Sequence, residues 1–431
     1  MMSITKKNNS DLFVYIAFGF LVAFITYTYV ISELSNGYSD YSGHAYIYLP
    51  YFFSGSTLAE GFKAVPYCMW HLITLFFYKV LNIALDPSAA YTSCIFAVFS
   101  YGVGCFMIDK ICERYGAGYS AVRTAFLSTA FYIAQPLYFY WIGRGERFTG
   151  VYSPNPFHNP TLMCARGFSL LAFCLIVDIW GAQSSSEYKG LFFRTEKGLK
   201  KYYIYLAIVL FLSAMAKPTF AECFIPAVGI IMLVRLFTAI FKRKGKEYSK
   251  HFLNSLLCAV PTLLYIFLQF GAYFLLGGSY GSDDSRIIIT RFGEVWSMYS
   301  DNIPLSMLLG MAFPIYMVLV DTRFFLKEDQ GKLALTVYGI GFLQAMLLGE
   351  SGGKLAHADF IWPMMSGMLL MYAVSLLRLI SMEAGLNKVS DPLSELKSVS
   401  GQKSDLRKKI IVAGGWILFL SHVLCGVLFL K

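Results

Sequence analysis

Charge is what this chain has least of. Only 14% of its 431 residues are Asp, Glu, Lys or Arg, while 57% are hydrophobic and 17% aromatic. Soluble domains carry roughly 25% charged residues, so an ordinary water-soluble globule is excluded. Motifs are missing too. There is no P-loop and no HExxH, which leaves ATP-driven transport and zinc proteolysis without support. Nine cysteines are present but no CxxC pair. Cys94, Cys105, Cys164, Cys174, Cys258 and Cys425 lie inside apolar runs, where a thiol behaves as a small hydrophobe, and no disulfide framework emerges. Internal repeats are absent, as are the paired Gly/Pro-broken helices of inverted-repeat transporters.

What is present is a succession of apolar runs, each long enough to cross roughly 30 Å of hydrocarbon. The runs cover residues 12–31, 89–108, 122–142, 161–181, 202–216, 219–241, 251–276, 304–320, 333–348, 360–379 and 410–430. No soluble domain fits between them, so residues 1–431 read as a single membrane domain, all-α and polytopic with about eleven transmembrane helices. The first run has no small-residue cleavage site and is expected to be a retained helix. Residues 380–409, rich in Ser, Lys, Asp and Glu, read as a cytoplasmic connector with partial disorder.

The segment 66–85, "PYCMWHLITLFFYKVLNIAL", decides which side every later loop faces. If it lies in the interface as a helix of the first outward loop (residues 32–88), 26 of the 36 Lys and Arg fall on the cytoplasmic side. If it crosses, nearly all the later ones face outward, against the positive-inside bias. The expected topology is therefore eleven spans in the plasma membrane, N-terminus cytoplasmic and C-terminus outside. The net charge of +10 then reflects topology, and no nucleic-acid partner is implied.

The outward segments hold the polar chemistry. In "ELSNGYSDYSGHAYIYLP", Asp40 and His44 stand four apart and share a face if residues 38–48 are helical. They suit a general base with a neighbour that holds the acid, a substrate or a metal; alternatively Asp40 caps a short helix starting at Tyr41. "GRGERFTGVYSPNPFHNPT" carries Arg144, Arg147, His158 and Asn159 on a proline-stiffened loop longer than a simple connection needs. Arg166 follows inside the next helix, where a charge is costly and marks either a polar cavity or snorkelling to headgroups. Lys217, in the turn of "AMAKPTFAECF", is a point charge for a phosphate, an interfacial anchor, or a partner for Glu222. "GGSYGSDDSRIIITRFGEVW", with Asp283 and Asp284, reads as a mobile loop. "GESGGKLAHADFIW" brings Glu350, Lys354, His357 and Asp359. Either of these last two could be a solvated edge.

The layout resembles the C-type fold (GT-C) of membrane glycosyltransferases. The matching features are an N-in first span ending at Ile31, a long first outward loop with Asp40 in "YSDYSGH", and the amphipathic stretch "VPYCMWHLITLFFYKVL" before the second span. "SPNPFHNPT" and "AKPTF" look like features of bacterial membrane proteins placed near this class. Many members carry an acidic pair in the first loop, whereas this chain has Asp40 with His44 and no adjacent second acid.

The resemblance implies a polyprenyl-phosphate-linked sugar as donor, and a glycan, lipid or protein as acceptor. Asp40 would be the general base with His44 beside it, and Arg144, Arg147, Arg166 and Lys217 would hold the donor phosphate. His158, Asn159, Glu350 and His357 would contact substrate. No cofactor is required, and a divalent metal joining Asp40 and His44 is an open alternative. Competing expectations are a flippase for a lipid-linked glycan, which needs ionisable groups at mid-membrane as well as at one face, and a polysaccharide polymerase or an acyltransferase.

Overall fold

The computed structural model describes residues 9–37, 39–53, 58–65, 67–139, 141–142, 145, 150–155, 157–184, 187–193, 198–242, 245–271, 286–389 and 399–430. Eleven helices overlap the eleven apolar runs. They are α1 (Asn9–Ser35), α2 (Leu85–Tyr115), α3 (Ala121–Ile133), α4 (Pro160–Ser184), α5 (Lys200–Ala216), α6 (Thr219–Phe241), α7 (Gly245–Phe270), α8 (Ile303–Val320), α9 (Asp329–Leu347), α10 (Trp362–Val389) and α11 (Val399–Phe429). Among the described residues eight helices are long and apolar enough to cross a membrane; α3, α5 and α9 are shorter or begin with polar residues. The protein is thus an all-α, multi-pass membrane protein. Its β structure, among the described residues, is one two-stranded ribbon in which β1 (Ile287–Ile289) pairs antiparallel with β2 (Leu348–Glu350).

Burial sorts the helices into centre and rim. α4 and α10 bury 89% of their apolar windows, whereas α1, α6 and α7 bury 22%. One hydrophobic core runs from Val22 in α1 to Val423 in α11. α9 and α10 approach each other closely. A Cβ on Gly341 would lie 2.7 Å from the backbone of Met364, and one on Gly367 would lie 2.6 Å from that of Tyr338. Small residues let helix backbones meet where lipid offers no hydrophobic drive.

One segment is described more finely and two boundaries are revised. Segment 66–85 folds as a seven-residue helix, Met69–Leu75, followed by a π-helical turn over Phe76–Val80. Twelve residues rise about 18 Å, too little to cross. The run 122–142 is helical only to Ile133, because Pro136 cannot continue a helix and disfavours helical backbone at the residue before it. The chain then runs extended, and the N–H groups of Gln135 and Leu137 donate to the carbonyls of His422 (3.0 Å) and Leu309 (3.1 Å). Non-helical backbone at membrane depth is tolerated where protein buries it. Finally, α10 continues to Val389 and α11 starts at Val399, so the 380–409 connector is helical at both ends.

Candidate functional site

The helices alternate in direction. The segments after α1, α3, α5, α7 and α9 therefore gather at one end of the bundle, and the site assembles there. α4 begins with Asn159, Pro160 and Thr161, an N-cap residue followed by the proline that suits the first helical position. The Asn159 Oδ1 accepts from the Leu162 N–H (2.9 Å) and the Thr161 hydroxyl (2.7 Å). With its oxygen committed to the cap, the amide must present its NH2 outward, and Nδ2 donates to Asp40 Oδ2 at 3.0 Å. The upstream loop is braced in the same way. Asn155 Oδ1 accepts from the Phe157 N–H, and the Ser153 hydroxyl donates to Gln135.

Asp40 itself is not a helix cap. Ser39 caps the short helix Asp40–Ser42 by accepting from the Ser42 N–H, which leaves the exposed Asp40 carboxylate to Asn159. The backbone then widens into a π-helical turn over Gly43–Tyr48. Its i→i+5 spacing separates the two side chains that a four-residue spacing would align. His44 is buried and its Nδ1 lies 3.0 Å from His71 Nε2. Burial pushes His71 down to about 3. It also pushes His44 well below the usual imidazole range, with His71 and Lys217 adding to the effect. Both rings are neutral at ordinary pH, so one donates to the other.

Lys217 occupies the two-residue turn between α5 and α6 and is only 5% exposed. Its Nζ lies 3.4 Å from Thr161 Oγ1 and 4.3 Å from the centre of the Trp362 ring. A polar relay thus runs Asp40, Asn159, Thr161, Lys217. Burial lowers the lysine to about 8, although Asp40, Asp359 and Glu222 pull it upward. His158 stacks on the same ring, 5.0 Å from Trp362 at an interplanar angle of 11°. Burial, and then the lysine charge, push His158 down to about 3.

Beside Lys217 is an open cavity of about 870 Å³ whose lining includes Tyr67, Glu222, Glu350, Asp359 and Trp362, with Ile266 and Phe270 of α7 forming an apolar wall. The β ribbon fixes Glu350 there, opposite Ile287. Three carboxylates, one lysine and two aromatic rings suit a ligand with several hydroxyls and an anionic group. Among the described residues no three His, Cys, Asp or Glu side chains are grouped as a metal site requires.

The structure brings Asp40, His44, His158, Asn159, Lys217 and Glu350 to this region. Arg166 is not available to a phosphate: it is 3% exposed, and its Nη1 and Nη2 donate to the carbonyls of Pro154 (2.8 Å) and Phe131 (2.9 Å). It ties the end of α3 and the proline loop to α4. His357 is exposed beside Asp359 and outside the cavity lining. Arg144 and Arg147, like Asp283 and Asp284, lie outside the described residues. Glu222 and Asp359 are named by the sequence reading, Glu222 as a partner for Lys217, whereas His71, Tyr67 and Trp362 are not given a role in a site there.

Asp178 lies at the other end of α4. Its carboxylate accepts from the N–H groups of Leu191, Phe192 and Phe193 and from the Tyr188 hydroxyl, all within 2.6–2.9 Å. It organises a loop rather than a path through the membrane. The chain matches no protein-family model, and no curated protein matches it in sequence.

Proposed function

We propose that the protein is a membrane glycosyltransferase of the C-type fold, moving a sugar from a polyprenyl-phosphate donor to a glycan, lipid or protein acceptor at the outer face of the plasma membrane. The N-terminus is then cytoplasmic. The reading rests on one observation: the relay from Asp40 through Asn159 and Thr161 to the buried Lys217, at a cavity that also holds Glu222, Glu350 and Asp359.

In this mechanism an acceptor hydroxyl attacks the anomeric carbon and Asp40 takes its proton. The bond from that carbon to the phosphate oxygen breaks, and the leaving lipid phosphate gains charge. Lys217 offsets that charge from a water-poor position, where a single cation is worth more than in solvent. Glu222, Glu350 and Asp359 accept hydrogen bonds from sugar hydroxyls, and Tyr67 and Trp362 supply ring faces. Asn159 orients Asp40 while capping α4, which makes it a positioning residue.

A flippase would need ionisable groups along the interior. Arg166 and Asp178, the charged side chains within α4, are both committed to backbone groups, which favours the enzyme.

The test is a purified-protein assay with polyprenyl-phosphate sugars, comparing wild type with Asp40→Asn and Lys217→Met. Loss of transfer in both is expected. Equal turnover by Asp40→Asn and wild type refutes the general-base role.

A further inference from the structure

A second cavity lies at the opposite end of α5 from Lys217, about 25 Å away along a 17-residue helix. The first two turns of α5 and residues 250–258 of α7 form it. Lys200, Lys250, His251 and Asn254 stand around it, and Ile204 and Leu257 continue its floor.

Two independent features of this cavity point to the same ligand. The first is positive charge gathered from two helices. α5 opens with Lys200 and Lys201, has no acid in its first turn, and its N-cap residue Leu199 gives no side-chain hydrogen bond. Two lysines thus sit at the positive end of a helix dipole, an arrangement that an anion relieves and that donor N–H groups would bind. Lys250 adds a third cation from the facing helix. The second is the floor. Ile204 is 50% exposed and Leu257 is 56% exposed, and the apolar surface runs on along Ile208 of α5 and Leu253 of α7. A soluble anion has no use for such a floor, whereas an acyl chain does.

We infer that this cavity binds an anionic glycerophospholipid, its phosphate between Lys200 and Lys250 at the start of α5 and an acyl chain along Ile204, Ala207 and Leu257. Basic pockets between membrane helices recognise lipid headgroups through this combination of charge and depth. The bound lipid would fill the gap between α5 and α7 at the end of the bundle away from the sugar-transfer site.

The test uses the full-length protein in nanodiscs of phosphatidylcholine with a minority of phosphatidylglycerol, followed by native mass spectrometry of the released protein. Wild type is expected to retain phosphatidylglycerol in preference to phosphatidylcholine. Lys200→Gln with Lys250→Gln should weaken retention about thirtyfold, at roughly fivefold per lysine. Ala207→Phe, which fills the floor and leaves the basic rim intact, should also lower it. Lys327→Gln, an exposed lysine at the same end, should leave it unchanged. The proposal is overturned if the double lysine variant retains phosphatidylglycerol like wild type, or if Lys327→Gln lowers retention as much. It is equally overturned if inorganic phosphate displaces the lipid at millimolar concentration.

Discussion

Replacing Lys217 with methionine should stabilise the protein. The side chain is 5% exposed and its ammonium is lowered from the usual 10.5 to about 8, because desolvation outweighs the attraction of Asp40, Asp359 and Glu222. At 1.36 kcal/mol per unit, holding that charge at pH 7 costs about 3 kcal/mol relative to a neutral side chain of similar shape. The pH dependence follows from linkage. The folded lysine loses its proton near pH 8 and the unfolded one near 10.5, so between those values the unfolded chain binds more protons. Wild type therefore gains stability as pH rises through that window. Below it the penalty is fully present, and Lys217→Met lacks it throughout.

Thermal unfolding in a mild detergent from pH 6.5 to 10.5 measures this directly. With about 2 cal/mol/K of unfolding entropy per residue, the variant should melt about 3 °C higher at pH 7 and converge with wild type near pH 10.5. A Lys217→Met variant that is less stable than wild type at pH 7, by an amount independent of pH, refutes the reasoning. Lys217 would then be the indispensable partner of its three carboxylates. A residue that costs stability where it sits is retained for what it does.

Removing Asp178 strands three backbone N–H groups, so Asp178→Ala should cost at least about 3 kcal/mol. Limited proteolysis should cut first between residues 185 and 199. Asn159→Ala should lose about 1 kcal/mol with the cap. Asn159→Asp keeps the cap and sets a carboxylate against Asp40, so stability near wild type with transfer activity abolished is the expected pair of results; full activity would show that Asn159 does not position Asp40. Gly341→Ala forces α9 from α10 and should destabilise by about 1–3 kcal/mol, measurable by the same melting assay. Cysteines introduced at Glu60 and Glu328 should react with an impermeant maleimide from opposite sides of the membrane, and labelling from one side contradicts the alternating arrangement.

The helices were legible because twenty apolar residues in a row have few other uses. Their ends were less so. Pro136 marks the break in α3 plainly, yet hydropathy averages across it, and the polar start of α11 reads as linker because its helix leaves the apolar zone. In the site, Asn159 is read from the sequence as a substrate contact, although Asn before Pro160 at the start of an apolar run is a local cap signal. The pairing of His44 with His71 could not be read, because it depends on a π-helical turn that shifts the register by one residue. Asp359 comes near Lys217 only through the packing of α6 against α10, which no spacing encodes, whereas Glu222, five residues from Lys217, is readable as its partner. Arg166 is the instructive case: an intramembrane charge suggests a ligand, and here it holds the protein's own carbonyls.

The cavity beside Lys217 has walls of unequal stiffness. On one side Trp362 opens α10, which is locked to α9 where Gly341 and Gly367 remove the side chains between them. On the other side Ile266, Gln269 and Phe270 belong to α7, a rim helix that packs on α5 and α6 and otherwise meets lipid. A bulky substrate will therefore make room by displacing α7 outward. Glu350, Asp359 and Trp362 stay with the rigid wall, and the membrane itself acts as the spring that closes the other.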